Sequence, residues 1–240
     1  MSLTEAGRMG NFGWTRRRAG GRSHKCIVFE AMRKERKMRR TKSKQVKIAL
    51  FCFLLGCGML GAVFLALRLR GSVVVKFGET QLAAGEAMSY RQDDKMWADD
   101  TLGDSGFTMR SSGCLVTCIA AAVSMETGNE VTPGALNHLF SENQVYDSEG
   151  NVQWAAIEEI EGYSVDVFQE VSEPEIAQNL AFGHYPIVRV RMHGIGSFHY
   201  VLIVGVEDGK YICMDPLEDE LTRLSRYWNR VYAVRVVYAE

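Results

Sequence analysis

Four residues have the types and spacing to carry out acyl transfer through sulfur: Gln92, Cys114, His199 and Asp215. Cys114 follows Ser111, Ser112 and Gly113 and opens the apolar run CLVTCIAAAVSM, which reads as a helix ending at Gly128. A thiol at a helix start meets unpaired backbone N–H groups and the positive end of the helix dipole, and both favour the thiolate. Gly113 is read as room for a substrate backbone to come close. Taken alone, such a cysteine is more simply a small apolar residue at a buried helix start.

A thiolate nucleophile needs a base, and His199 opens the strand-like run HYVLIVGV, where it would be held rigidly at a sheet's edge. His193 is the competing base, but Gly194, Ile195, Gly196 and Ser197 place it beside a flexible loop. Asp215 ends the next run, YICMDP, where Pro216 stops the ladder. It is a candidate to orient the imidazole; the plainer reading is a turn-capping aspartate. Gln92, in YRQDDKMW, is a candidate to give its side-chain amide to a developing oxyanion beside the Cys114 backbone N–H.

The elements that must position these residues fall in two blocks. Besides the cysteine helix, Thr132 with Pro133 starts a helix running to about Phe140, and SEPE from Ser172 reads as a capping box for a helix ending near Gly183. Tyr185 to Met192, His199 to Val206, Lys210 to Met214 and Val231 to Tyr238 are short β-rich runs. Glu207, Asp208 and Gly209 join the second to the third as a hairpin. An antiparallel sheet following helices makes the class α+β.

Charge divides the chain. Residues 1–47 hold 15 basic and 3 acidic side chains, whereas the chain from Gly71 onward holds 11 basic and 26 acidic, a net charge of −15. Between them Ile48 to Leu67 is a run of 20 residues with no charged side chain, long enough as a helix to cross a bilayer. The basic flank predicts a cytoplasmic N-terminus and an extracytoplasmic C-terminal domain, and the apolar core running straight into Arg68 fits an uncleaved signal anchor. Leu54–Cys57 offers a lipobox-like alternative. The arm 1–47 reads as a topology signal that also touches anionic lipid, not as a nucleic-acid-binding element. The expected organisation is therefore an arm (1–47), an anchor (48–67), a membrane-proximal linker (68–88) and one compact domain (89–240).

The order of Gln92, Gly-Cys at a helix start, His-Tyr-Val before an apolar strand and Asp-Pro resembles the bacterial papain-like cysteine peptidases related to bacteriocin-leader-processing peptidases. YRQDDKMWADDTLG, SSGCLVTCIAAAVSMETG, TPGALN, the stretch Tyr146 to Trp154 and HYVLIVGVEDGKYICMDP carry the likeness, which covers roughly residues 88–240. It implies a papain-like fold with Cys114 as nucleophile, His199 as base and acid, Asp215 as orienter and Gln92 as oxyanion donor. The expected substrate is a peptide or protein, secreted or on a cell surface, and no metal or cofactor is expected. Where many relatives carry a second glycine after the cysteine, this chain has Leu115, which narrows the entrance. A noncatalytic peptide-binding module and a cell-wall amide hydrolase are the alternatives. No GxxxxGK[ST] segment occurs, so processing coupled to an ATP-driven transporter is not expected.

The other candidates are plainer. Cys118 reads as a packed helix position, with a Cys118–Cys213 disulfide as the alternative. No CxxC or HExxH spacing suggests zinc, and Glu218, Asp219 and Glu220 read as a solvated loop. Trp97, Trp154 and Trp228 are expected in the core or on cleft walls. The negative C-terminal domain would favour basic substrates weakly.

Overall fold

In the computed structural model, residues 24–75 and 87–239 are described. The arm before residue 24 and the linker stretch 76–86 lie outside the described residues. The chain divides into two units between Val63 and Phe64. Helix α1 (His24–Leu69) is one continuous helix and carries the apolar run, with Leu50, Phe51, Phe53 and Leu60 exposed. By length and composition it can cross a membrane.

The second unit follows from two hydrophobic periods. In chain order its elements are β1 (Val73–Val74), α2 (Met109–Ser112), α3 (Cys114–Thr127), α4 (Pro133–Glu142), α5 (Trp154–Ile157), β2 (Tyr163–Val167) and α6 (Glu173–Ala181). Then come β3 (Ile187–Arg191), β4 (Phe198–Glu207), β5 (Lys210–Met214), β6 (Thr222–Arg223), β7 (Arg230–Val231) and β8 (Ala233–Ala239). Six strands form an antiparallel sheet in the order β2-β8-β3-β4-β5-β6. β1 pairs with β7 and Val75 is buried, so part of the stretch read as linker is docked onto the domain.

Alternation along the central strands sends side chains to both faces, and both are covered. Leu202, Val204, Ile187, Met214 and Val237 pack with Ile119 to Val123 of α3. Val188, Val190, Val201 and Ile203 pack on the other side with Ile176 and Leu180 of α6 and with Tyr227. The consecutive alanines Ala120, Ala121 and Ala122 let α3 lie close to the sheet. A register shift between Ile203 and Gly205 lets Val204 face α3 and Val206 the opposite cluster.

Local chemistry accounts for most element ends. Thr132 accepts the Ala135 N–H at 3.2 Å, with Pro133 at the first helical position of α4. Asp208 and Gly209 both have left-handed φ, as a two-residue hairpin with the native strand twist needs. Two expectations differ. Ser172 precedes α6 but makes no side-chain cap, so the capping box does not form; Pro174 in the first turn and the buried Ile176 and Leu180 start the helix instead. Strand β2, in the half expected to be helical, pairs with β8 because Tyr163 to Val167 alternates over only five residues, too short a run to stand out.

Ile119 is fully buried where α3 crosses the sheet. Ile119→Ala is expected to cost ~2–5 kcal/mol of unfolding free energy, read as a lower urea midpoint with unchanged slope.

Candidate active site

Cys114 is the first residue of α3, and Gly113 joins that helix to the single turn of α2. The sequence suggested that Gly113 admits a substrate backbone, but the structure assigns it another reason. A Cβ there would stand 2.5 Å from the Met109 carbonyl oxygen and 2.9 Å from its sulfur, so the turn itself requires glycine. Cys114 is half-buried.

The β4–β5 register puts His199 and Asp215 on one face. Leu202 pairs with Met214, so His199, three residues before that pair, and Asp215, one after it, both point away from Leu202. His199 Nε2 lies 2.6 Å from Asp215 Oδ1. Both are nearly sealed from solvent, at 4% and 1% exposure. With Nε2 taken by the carboxylate, Nδ1 is the ring nitrogen left to face the Cys114 side chain, which stands close enough to help raise the His199 pKa. His193, the alternative base, is exposed on a short 3-10 turn.

Burial alone would pull the His199 pKa down. The hydrogen bonds to Asp215 and Cys114 outweigh it and lift His199 to about 9. Burial would likewise raise Asp215, but the hydrogen bond and charge of His199 hold it below the ordinary carboxylate value, helped by Tyr227 and the Leu217 N–H. Leu217 N donates to Asp215 Oδ1 at 2.9 Å, and the Tyr227 hydroxyl donates to Asp215 Oδ2. Tyr227 is fully buried, and burial first, then the carboxylate, raise its pKa, so it stays a donor. Nothing in LSRYW marks this tyrosine; only the folded chain brings it to Asp215.

Gln92 ties the two halves together. Its backbone N–H donates to Pro216 O at 3.0 Å, and its Nε2 donates to Arg110 O at 2.8 Å, four residues before Cys114. That bond fixes which end of the amide is nitrogen and leaves one N–H on it to give. Around this link Arg91 pairs with Asp93 at 2.8 Å and with Asp219 at 3.0 Å, and Arg226 pairs with Glu218. The acidic turn after Asp215 is thus bound to arginines as well as solvated.

Cys114 opens onto a hollow of about 420 Å³, lined among others by Leu115, Trp154, Tyr200, Arg189 and Arg235. A larger hollow of about 890 Å³, lined among others by Asp99, Asp100, Asp104 and Asp147, contains none of the four residues. Trp97 is in the core, Trp154 on the cleft wall and Trp228 exposed. Cys118 and Cys213 are buried free thiols, not a disulfide, and burial raises both above the ordinary thiol value. The arginines of the cleft escaped the sequence reading, although a charge repeated inside an apolar strand, as in IVRVR, was an available signal.

The two shifted groups define a pH window for stability. Asp215, with a depressed pKa, stabilises the fold above the ordinary carboxylate value, and that contribution is lost as pH falls through its folded pKa. His199, with a raised pKa, stabilises it fully below about 6.5, and that contribution is lost as pH rises through about 9. The unfolding free energy is expected to fall between those two values in wild type and to be flatter in His199→Gln, as measured by urea titration at each pH. At neutral pH, Tyr227→Phe should cost ~1–3 kcal/mol by leaving Asp215 Oδ2 without its donor.

No family model and no curated protein matches the sequence. One solved structure, provisionally described as a C39-like peptidase from Bacillus anthracis, superposes on 68% of this chain and 98% of its own, with a TM-score of 0.44 and 12% identity. A likeness of that degree fixes neither the fold nor the activity of this chain.

Proposed function

We propose that the chain is a membrane-anchored cysteine peptidase of papain-like type, with its catalytic domain outside the cytoplasm. One observation carries the reading: His199 is held through Nε2 by the buried carboxylate of Asp215 at 2.6 Å, with the Cys114 side chain close enough to help raise its pKa. A merely structural histidine has no need of a half-buried thiol on its other side.

In this mechanism His199 already carries the proton that Cys114 has given up, and the thiolate sulfur attacks the peptide carbonyl carbon. The resulting oxyanion accepts from the free N–H of Gln92 Nε2 and from the Cys114 backbone N–H. The carbon–nitrogen bond then breaks, and His199 gives its proton to the leaving amine. His199 next takes a proton from water; the hydroxide adds to the thioester, the carbon–sulfur bond breaks, and the carboxylic acid leaves as the thiol is restored. Asp215 keeps the imidazole oriented and offsets its charge throughout.

The residues Ile48–Leu67 within α1 would anchor the protein, since their apolar side chains are exposed along a helix long enough to span a bilayer. The basic flank before them would stay in the cytoplasm and the acidic domain would be exported.

Iodoacetamide labelling of the full-length protein in detergent, with the site assigned by mass spectrometry, tests the reading. Selective alkylation of Cys114 well below the ordinary thiol pKa of about 8.5, lost in His199→Ala, is the expected result. Slow labelling with an ordinary thiol profile would sink the peptidase and leave a tethered binding domain. Gln92→Glu, which keeps the size but gives up the N–H donors, is expected to lower kcat by ~10²–10³-fold with little change in KM.

A further inference from the structure

The cleft beside Cys114 carries positive charge that nothing in the fold accounts for. Arg189 on β3 and Arg235 on β8 line it together with Tyr200. Among the described residues neither guanidinium has a carboxylate within ion-pair distance, nor has Arg191 next along β3, which stacks on Phe198 and donates to the Gly196 carbonyl oxygen outside the hollow, whereas Arg91, Arg110 and Arg226 each have one. Glu149 lines the same hollow without pairing to either arginine.

Each arginine is instead held by neutral groups. The Arg189 guanidinium stacks on Phe198 at 4.5 Å and shares the wall of the hollow with Tyr200. Arg235 lies 5.5 Å from the Trp154 ring and donates to the carbonyl oxygens of Val234 at 2.6 Å and Phe168 at 3.4 Å. The Nε atoms of both are buried without an acceptor. Two partly buried like charges side by side repel, and each has given up part of its water. Such an arrangement is costly to the fold alone, and an anion that enters the cleft relieves it.

The placement also says where the anion would come from. The two arginines line both the Cys114 hollow and a second hollow of about 440 Å³, lined also by Phe168 and Tyr232. They thus stand at the border of both hollows, and a chain extended from Cys114 towards the second would meet them.

We infer that Arg189 and Arg235 form a carboxylate-recognising subsite, and that the enzyme selects peptides carrying an Asp or Glu side chain close to the scissile bond. The inference deepens the peptidase reading and rests on Cys114 marking where substrate lies. Arginine's planar fork suits a carboxylate in two-point contact, and Trp154, Tyr200 and Phe198 hold the forks in place. The domain's net negative charge would draw basic partners from a distance, but at contact range the local pair of cations decides, because charges beyond about 10 Å are screened by salt.

Two measurements on the full-length protein in detergent test the subsite. In Cys114→Ala protein, which cannot acylate, binding is compared for short amidated peptides that differ only by Glu or Gln at each position in turn. At one position the Glu peptide is expected to bind about tenfold or more tighter, and the preference should collapse when Arg189→Gln or Arg235→Gln is added. In protein that retains Cys114, the rate of its alkylation by anionic iodoacetate relative to neutral iodoacetamide should fall several-fold in either arginine variant.

Equal binding of Glu and Gln peptides at every position would overturn the subsite, and that comparison needs no arginine variant to fold. So would a preference that survives both arginine substitutions, or one confined to peptides with a free C-terminal carboxylate. A Cys114 inert to both reagents alongside an intact Glu preference would instead remove the peptidase and keep the subsite.

Discussion

A carboxylate almost wholly withdrawn from water is tolerable only if its oxygens are supplied with donors, and the organisation of this domain's active end follows from that requirement at Asp215. His199, the Leu217 N–H and the Tyr227 hydroxyl each give one hydrogen bond to it. They come from a neighbouring strand, from the turn after Pro216 and from the short helical turn after β6. Satisfying one carboxylate therefore fixes three separate pieces of chain around His199. Of these, the bond between His199 and Asp215 helps lift the imidazole's pKa to about 9 against the pull of burial.

The sheet supplies the geometry and α3 the thiol. Strand parity sends His199 and Asp215 to one face, while Leu202 and Val204 on the other face bind α3 through its small-residue stretch. The first residue of α3 then meets the mouth of β4. Gln92 closes the arrangement from outside by joining the loop before Cys114 to Pro216 with one side-chain and one backbone hydrogen bond. A glutamine held this way is a structural clasp that still has an N–H to spare, so support of the site and stabilisation of an oxyanion are compatible uses of one side chain.

Charge works on two scales in this chain. The opposition between the basic N-terminal and acidic C-terminal parts is a property of whole segments and bears on topology. The pairing or non-pairing of single arginines is a property of sites. Arg91 and Arg226 are neutralised and brace the turn after Asp215, whereas Arg189 and Arg235 stand beside the cleft on aromatic and carbonyl groups with no ion pair among the described residues. Burial raises the cost of leaving a charge unpaired, so the local exception says more about recognition than the net charge does.

The α+β class, the cysteine helix, the Thr132–Pro133 helix start and the β4–β5 hairpin were legible in the sequence, because each rests on neighbours a few residues apart. The apolar run of α1 was legible for the same reason. Strand β2, the docking of β1 onto β7 and the failure of Ser172 to cap were not, since pairing with a distant strand or burial of a distant side chain decided them. Cys114, His199 and Asp215 could be nominated by type and order, but their approach depends on register and parity between strands, which no local pattern encodes. Tyr227, Arg189 and Arg235 lie furthest from sequence reasoning. Their meaning comes from which buried groups surround them, and in a chain whose elements pair across many tens of residues only the tertiary structure decides that.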